Sequence, residues 1–511
     1  ILIEGNDKSF VKGCTTPRIQ ASVLDLYDKY RITHPKQRVG GKLNEVPTFA
    51  TLDKNITAAI KSSGGQIVLL TSTINSPSAL KVIEDFKAAY PAFKHIQYDA
   101  VSYTGMLLAN EASFGKKAIP AYRFENAKKV VVSLGADFLS SWLSPVEFQQ
   151  GYALNRKLDE KNPQMSKHYQ FESFLSMTGA NADERFNHRQ SETGLVAAAL
   201  AAAVGVAGVT APAVSNAKLK AGIDKVAKDL LNHKGQSLVV CGSNDVNIQL
   251  LVNAINAAIG AYGTTIDWSA PLNYRKGIDK DFADLLTEME GGSVGTLMIY
   301  GANPVYTWPE QDRVKKALAK VKLKISFNEK QDEVSELCDY LVPTHHFLES
   351  WGDGEATTGS IGFMQPTIAP LFKTRQWQES LLVWAGNTES YADYFKNYWV
   401  ARLGSEKVYL ESLQDGVSVT APAGLSAGSY SASGLEAAAA AVSAAPKSSK
   451  KEIVLYQSNA LGAGTHPANP WLQELPDPIT KITWDNYAMI SVSTADELKI
   501  DYKSNDYEYY P

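Results

Sequence analysis

Four uninterrupted apolar runs, each closed by a small polar turn, constrain this chain more than anything else in it. They are QIVLLTSTINS (66–76), KKVVVSLGADF (128–138), QSLVVCGSNDV (236–246) and GTLMIYGANPV (295–305). A strand with one solvated face alternates apolar and polar residues, whereas a strand covered on both faces does not, so runs of this kind predict a parallel sheet sandwiched by helices. LKISFNE (323–329) reads as a fifth strand. The segments between them, SALKVIEDFKAAY (78–90), LKAGIDKVAKDLLNH (219–233), IQLLVNAINAAIG (248–260) and EQDRVKKALAKV (310–321), have the length of crossover helices. In the second of these, Leu219, Ile223, Val226, Leu230 and Leu231 fall on one helical face. The expected fold class is α/β, with doubly wound parallel sheets in two such units, whose strand ends share a rim.

In doubly wound sheets a ligand sits beyond the carboxyl ends of the strands. The residues that fall there are Gly135 and Asp137 of the GAD turn, Gly242 and Asn244 of GSND, and Gly301 and Asn303 of GANP. Each turn alone reads as a helix cap, in which Asn or Asp satisfies unpaired N–H groups. Several at one rim predict a nucleotide-shaped crevice. Neither GxGxxG nor GxxxxGK[ST] occurs, so no dinucleotide fingerprint or P-loop is available. His345, His346 and Glu349 in THHFLESWGDGEA have the wrong spacing for HExxH and read as a polar loop after a strand.

Charge and cysteine content narrow the functional classes. Fifty basic and 54 acidic residues among 511 give a net charge of −4, which offers no footprint for nucleic acid. The three cysteines, Cys14, Cys241 and Cys338, are too widely spaced for a zinc ribbon or a locally ligated four-cysteine cluster. Residues 195–214 carry no charge and match a membrane span in length, but they are mostly Ala and Gly and are broken by Pro212, so they predict a buried Ala-rich helix near 195–204 followed by a loop. No signal-type n-region and h-region precede the first polar motif. From about 417 the composition shifts. The expected organisation is an α/β body over 1–416, an Ala/Ser/Gly/Pro linker with one weak helix over 417–451, and a C-terminal arm or truncated β-rich domain over 452–511. The arm carries Trp471, Leu472, Leu475, Ile479, Ile482, Trp484 and Tyr487, and reads as a partner-binding segment.

IEGN (3–6) with PRIQASVLDLYD (17–28), KKVVVSLGADFLSSWLSPVEF (128–148), SMTGANADERFNHRQ (176–190), YGANPVYTWP (300–309) and the stretch from DYLVPTHHFLESWGD to IGFMQPTIAPLF (339–372) resemble, in order and spacing, the molybdopterin oxidoreductase superfamily. Within it the resemblance is greatest to the molybdopterin-like half of the iron–sulfur subunit of alternative complex III, a quinol:electron acceptor oxidoreductase; NPWLQELPDPITKITWDNY (469–487) is similar to the same subunit. Departures from the superfamily pattern matter as much. Thr16 stands where a cluster-binding Cys precedes Arg18, Cys14 is displaced, and the nucleotide contact resembling RPGTD reads RQSET (189–193), with Ser191 for Gly and Glu192 one place early. The resemblance therefore implies a scaffold rather than a catalyst: no catalytic, cofactor-binding or metal residue, and a vestigial crevice at Gly135, Asp137, Gly242, Asn244, Gly301 and Asn303. It further implies Fe–S clusters and haem c elsewhere in the complex, with a ferredoxin-like Fe–S domain, multihaem and monohaem c-type cytochrome subunits and quinol-binding membrane subunits as partners. The expected location is the periplasmic side of the bacterial inner membrane, without a transmembrane helix in this chain. The alternative is an active enzyme with a molybdopterin bis-guanine dinucleotide, acting on a small oxyanion or sulfur compound.

Overall fold

A computed structural model describes residues 2–158, 163–420, 428–445 and 450–501. The apolar runs form strands Gln66–Thr71, Val130–Leu134, Ser237–Cys241, Val294–Tyr300 and Leu323–Ser326. They do not share one sheet. Strands Val130–Leu134 and Ser237–Cys241 pair in parallel in a four-stranded sheet, extended by Lys167–Glu172 and Glu184–Asn187. Strands Gln66–Thr71 and Val294–Tyr300 pair in parallel in a seven-stranded sheet with Phe93–Gln97, Leu323–Ser326 and Tyr340–Leu341, and the polar hairpin Lys36–Val39/Lys42–Glu45 adds an antiparallel edge. The single rim expected from the sequence is therefore two rims. Repeated turns announce strand ends but do not say which strands are neighbours.

Each of these two sheets reverses its winding once. In the smaller, the chain builds outward from Val130–Leu134 through Lys167–Glu172 to Glu184–Asn187, then returns to place Ser237–Cys241 on the other side. In the larger the reversal falls between Gln66–Thr71 and Val294–Tyr300. Adjacent connections diverge at such a reversal and leave a crevice. At the first, Gly242 donates its N–H to Leu134 O, and a Cβ on Gly242 would lie 2.3 Å from Gly135 O, so only glycine fits. At the second, Gly301 has φ +63° against Ser72.

Apolar side chains fill both faces of the larger sheet. Leu69, Met298 and Ile325 point into one core, and Val68, Leu70, Leu297 and Ile299 into the other. The helix Ala217–Asn232 buries Leu219, Ile223, Val226 and Leu230 as the spacing requires, but leaves Leu231 on the surface. The uncharged stretch forms helix Thr193–Ala203, buried along nearly its whole length, and among the described residues no helix is long and apolar enough to cross a membrane. A third, antiparallel sheet (Ile119–Tyr122, Ile266–Leu272, Gly352–Thr357, Ser360–Met364, Val417–Val419) lies outside what the apolar pattern foretold. Its hairpin GDGEATTGSIGFM turns at Thr358–Gly359, where Gly359 takes φ +88°, so part of the expected polar loop is a strand.

The low-complexity region is not simply a spacer. Of the stretch 417–451, residues 421–427 and 446–449 lie outside the described residues, but helix Leu435–Ala444 buries Leu435, Ala438 and Ala439 in the body. Small residues allow this by bringing backbones close: a Cβ on Gly194 would meet Val442 at 2.9 Å. The segment EIVLYQS (452–458), where the arm begins, forms no strand. It begins a run, 450–501, that lies along the body.

Candidate functional site

The crevice at the smaller sheet's reversal opens into a cavity of about 230 Å³. Gly135, Asp137 and Gly242 line it; Asn244, Gly301 and Asn303 do not. Asn244 accepts from Gly105 N at 2.8 Å, tying two loops together. Gly301 donates to Asn328 Oδ1 at 2.9 Å at the other rim. Asn303 donates to Glu333 at 2.6 Å and caps the turn Pro304–Thr307. Of these three only Asn303 caps a turn, as the capping reading anticipates; the helix after Ser237–Cys241 is capped by Asp245 instead of Asn244.

Asp137 also has a local task. Its carboxylate accepts from Thr178 N at 2.9 Å and Thr178 Oγ1 at 2.6 Å, fixing the loop after one strand to the loop after the next. Burial pushes its carboxyl above the ordinary value even against those hydrogen bonds. Glu172, nearly fully buried, accepts from Gln170 Nε2 at 2.9 Å, Ser176 Oγ at 2.6 Å and Arg185 Nε at 2.5 Å. The ring of His188, buried in the same wall, is held below the usual histidine value by desolvation and meets Thr193 Oγ1 through Nε2 at 3.1 Å. The carboxylates of the wall are thus already hydrogen-bonded within the chain, whereas His188 Nδ1 and Trp142 Nε1, buried in the same wall, have no partner among the described residues.

The RQSET segment shows how this comes about. Glu192 turns back to accept from Arg189 N at 3.0 Å, so its carboxylate caps its own turn. Ser191 donates from N at 3.0 Å and from Oγ at 2.5 Å to Glu452, which the chain delivers from 261 residues away. Val454, Tyr456, Gln457, Asn459 and Asp477 from the same run stand in the cavity wall. None of these is legible in the sequence as a site residue: a carboxylate reaching a serine across 261 positions leaves no local signal.

The residues present do not fit a metal or cluster ligated by thiolate. Such ligation requires the deprotonated sulfur. Cys241, at the end of its strand, is buried, accepts from Ser243 N at 3.4 Å, and has its thiol pushed up to about 12 by burial. Burial raises Cys338 likewise, and Cys14, exposed, accepts from Gln150 at 2.8 Å. His346 accepts from Leu348 N as a turn cap, and Glu349 is paired with Arg31 at 2.7 Å. Among the described residues no group of three or more His, Cys, Asp or Glu side chains is placed to hold a metal ion.

No family model matches the chain. Over 229 residues, 42% of its length, it is 25% identical to the menaquinone reductase, molybdopterin-binding-like subunit, of Nitratidesulfovibrio vulgaris, covering 30% of that protein. Over 116 residues it is 28% identical to the NADPH-Fe(3+) oxidoreductase subunit alpha of Geobacter sulfurreducens, covering 14% of it. The matches thus span less than a third of these relatives. Acetylene hydratase from Pelobacter acetylenicus superposes with a TM-score of 0.60 at 13% identity, over 80% of this chain and 68% of that one. The mixed α/β architecture is the molybdopterin-oxidoreductase-like fold, and one of the sequence relatives is described as a molybdopterin-binding-like subunit.

Proposed function

We propose that this chain is a non-catalytic, cofactor-free, molybdopterin-oxidoreductase-like subunit that scaffolds a quinol-oxidising complex of the alternative complex III type. The observation that carries the reading is that the chain itself closes over part of the crevice: Glu452 takes the hydrogen bonds of Ser191, and Tyr456, Gln457 and Asn459 stand in the cavity wall. The relative described as a molybdopterin-binding-like subunit of a menaquinone reductase supports a role in a quinone-linked complex. In this reading Fe–S clusters and c-type haems reside in a ferredoxin-like domain and in cytochrome subunits, and quinol binds in integral membrane subunits on whose periplasmic side this chain sits. The outer side of 450–501 supports a partner surface: Ile453 and Leu455 are each 91% exposed, and Trp484 is 60% exposed.

The test is turnover by the assembled complex. Gln190→Ala and Ser243→Ala alter the cavity wall. Quinol oxidation by the purified assembly is expected to be unchanged in both variants. A loss of activity with the assembly intact would favour the alternative, an active molybdopterin enzyme.

A further inference from the structure

Residues 451–457 make no backbone hydrogen bonds to the body among the described residues, and their exposure alternates as far as Leu455, Tyr456 being 38% exposed. Glu452 and Val454 turn inward, Ile453 and Leu455 outward. Three contacts then mark a path. The Glu452 carboxylate sits on Ser191, just before helix Thr193–Ala203, with Arg189 Nη1 at 3.9 Å. Tyr456 stacks on Phe174, ring centroids 4.8 Å apart and planes 23° from parallel, and its hydroxyl donates to Tyr487 at 2.7 Å. Asn459 accepts from the Ser140 hydroxyl.

Ser191 follows strand Glu184–Asn187, Phe174 follows Lys167–Glu172, and Ser140 follows Val130–Leu134. Those are three consecutive neighbours in the smaller sheet, met in spatial order from its edge to its reversal point. The segment therefore crosses the carboxyl ends of the strands in one direction, in register with the sheet below. A carboxylate at a helix N-terminus and a ring stacked on an aromatic are the contacts by which an anionic, ring-bearing ligand is held at such a rim.

We infer that Glu452–Asn459 is a strap that occupies the strand-end crevice in cis, Glu452 standing at the anion position and Tyr456 at the ring position. The inference rests on the reading that the crevice carries no cofactor, and it adds what fills the crevice instead. The strap excludes a competing ligand by holding both positions, and its two outward aliphatic side chains stay available to a neighbour.

The experiment uses the full chain with Cys14→Ser, to remove the exposed thiol, and with Ser140→Cys and Asn459→Cys as a disulfide reporter. Mild oxidation is expected to link the two, as read by mass spectrometry. Adding Glu452→Ala and Tyr456→Ala is expected to slow the linkage about tenfold, because the strap then spends less time seated on the rim. Failure to link, or linkage at the same rate without the two anchors, would overturn the strap. Hydrogen exchange provides a readout free of the reporter cysteines: the Ser191 amide should be protected in the unmodified chain and lose that protection in Glu452→Ala, and no change there would count against the proposal. Pterin content of the same samples separates the two readings. A pterin alongside a normal linkage would remove the cofactor-free reading and leave the strap, whereas no pterin and no linkage would remove the strap alone.

Discussion

Arg31 and Glu349 form the most completely buried ion pair among the described residues, at 2.7 Å with side chains 1% and 0% exposed. The Arg31 guanidinium also donates to Leu26 O at 3.1 Å, and Glu349 also accepts from His346 N and Leu371 N, so both charges are satisfied on every side. Removing one partner strands the other in a low dielectric. Glu349→Gln is expected to cost about 3–5 kcal/mol, measured by urea denaturation, whereas replacing both residues by apolar ones should cost much less. Beside this pair, burial pushes the Glu329 carboxyl up to about 8, against the attraction of Arg31 and Lys330 and helped by Asp25 and Glu349. A carboxyl raised in the folded state binds a proton there that the unfolded chain has released. Its contribution therefore falls as pH climbs from the ordinary glutamate range towards 8, and the penalty is complete above that. Glu329→Gln should flatten that decline and be more stable than the parent at pH near 9 on the same denaturation curve. A parallel decline in both proteins would show that Glu329 is not the group responsible.

The central strands and most helices are legible in the sequence because burial on two faces leaves a compositional mark. Val130–Leu134 and Ser237–Cys241 are buried at every position, and their runs say so. Edge strands such as Lys42–Glu45, polar and mostly exposed, carry no such mark. Helix Leu435–Ala444 is legible as a helix but not as core, because alanine is equally at home in a spacer and in a close helix contact. Its packing makes a sharp prediction: Leu435→Ala should cost about 2–5 kcal/mol, as for a core leucine and unlike a linker residue. A change within about 0.5 kcal/mol would return the segment to linker status. Between residues 452 and 469 the chain is anchored by the Tyr456–Phe174 stack and by scattered polar contacts, among them Asn469 donating to Ala21 O at 2.7 Å and His466 beside Asp25. The Ser191 hydroxyl and amide, aided by Arg189, hold the Glu452 carboxyl below its ordinary value. That anchor is therefore fully present above the unfolded glutamate value and is lost as pH falls through the lower folded one. Exchange at the Ser191 amide should accelerate, relative to the intrinsic rate, on acidification through that window, and Glu452→Gln should abolish the acceleration.

At the scale of the whole molecule, two doubly wound sheets each place a reversal point where the sequence puts glycine-bearing turns, and the four apolar runs that signal strand ends do end strands. Their division between two sheets is not legible, because strand order is set by which crossovers pack together, and no turn records it. Set against the superfamily pattern that it resembles, the RQSET segment has Ser191 in the place of glycine. The contact that gives this serine its partner, Glu452, is visible only in three dimensions. A crevice walled from within is what would set this chain apart from a pterin enzyme, and its most direct measurement is the molybdenum, tungsten and pterin content of the protein purified from the cells that make it. A self-walled crevice predicts that denatured, oxidised samples release no pterin fluorescence assignable to this subunit and contain molybdenum and tungsten far below stoichiometric amounts. Near-stoichiometric metal with a matching pterin in this subunit would contradict it.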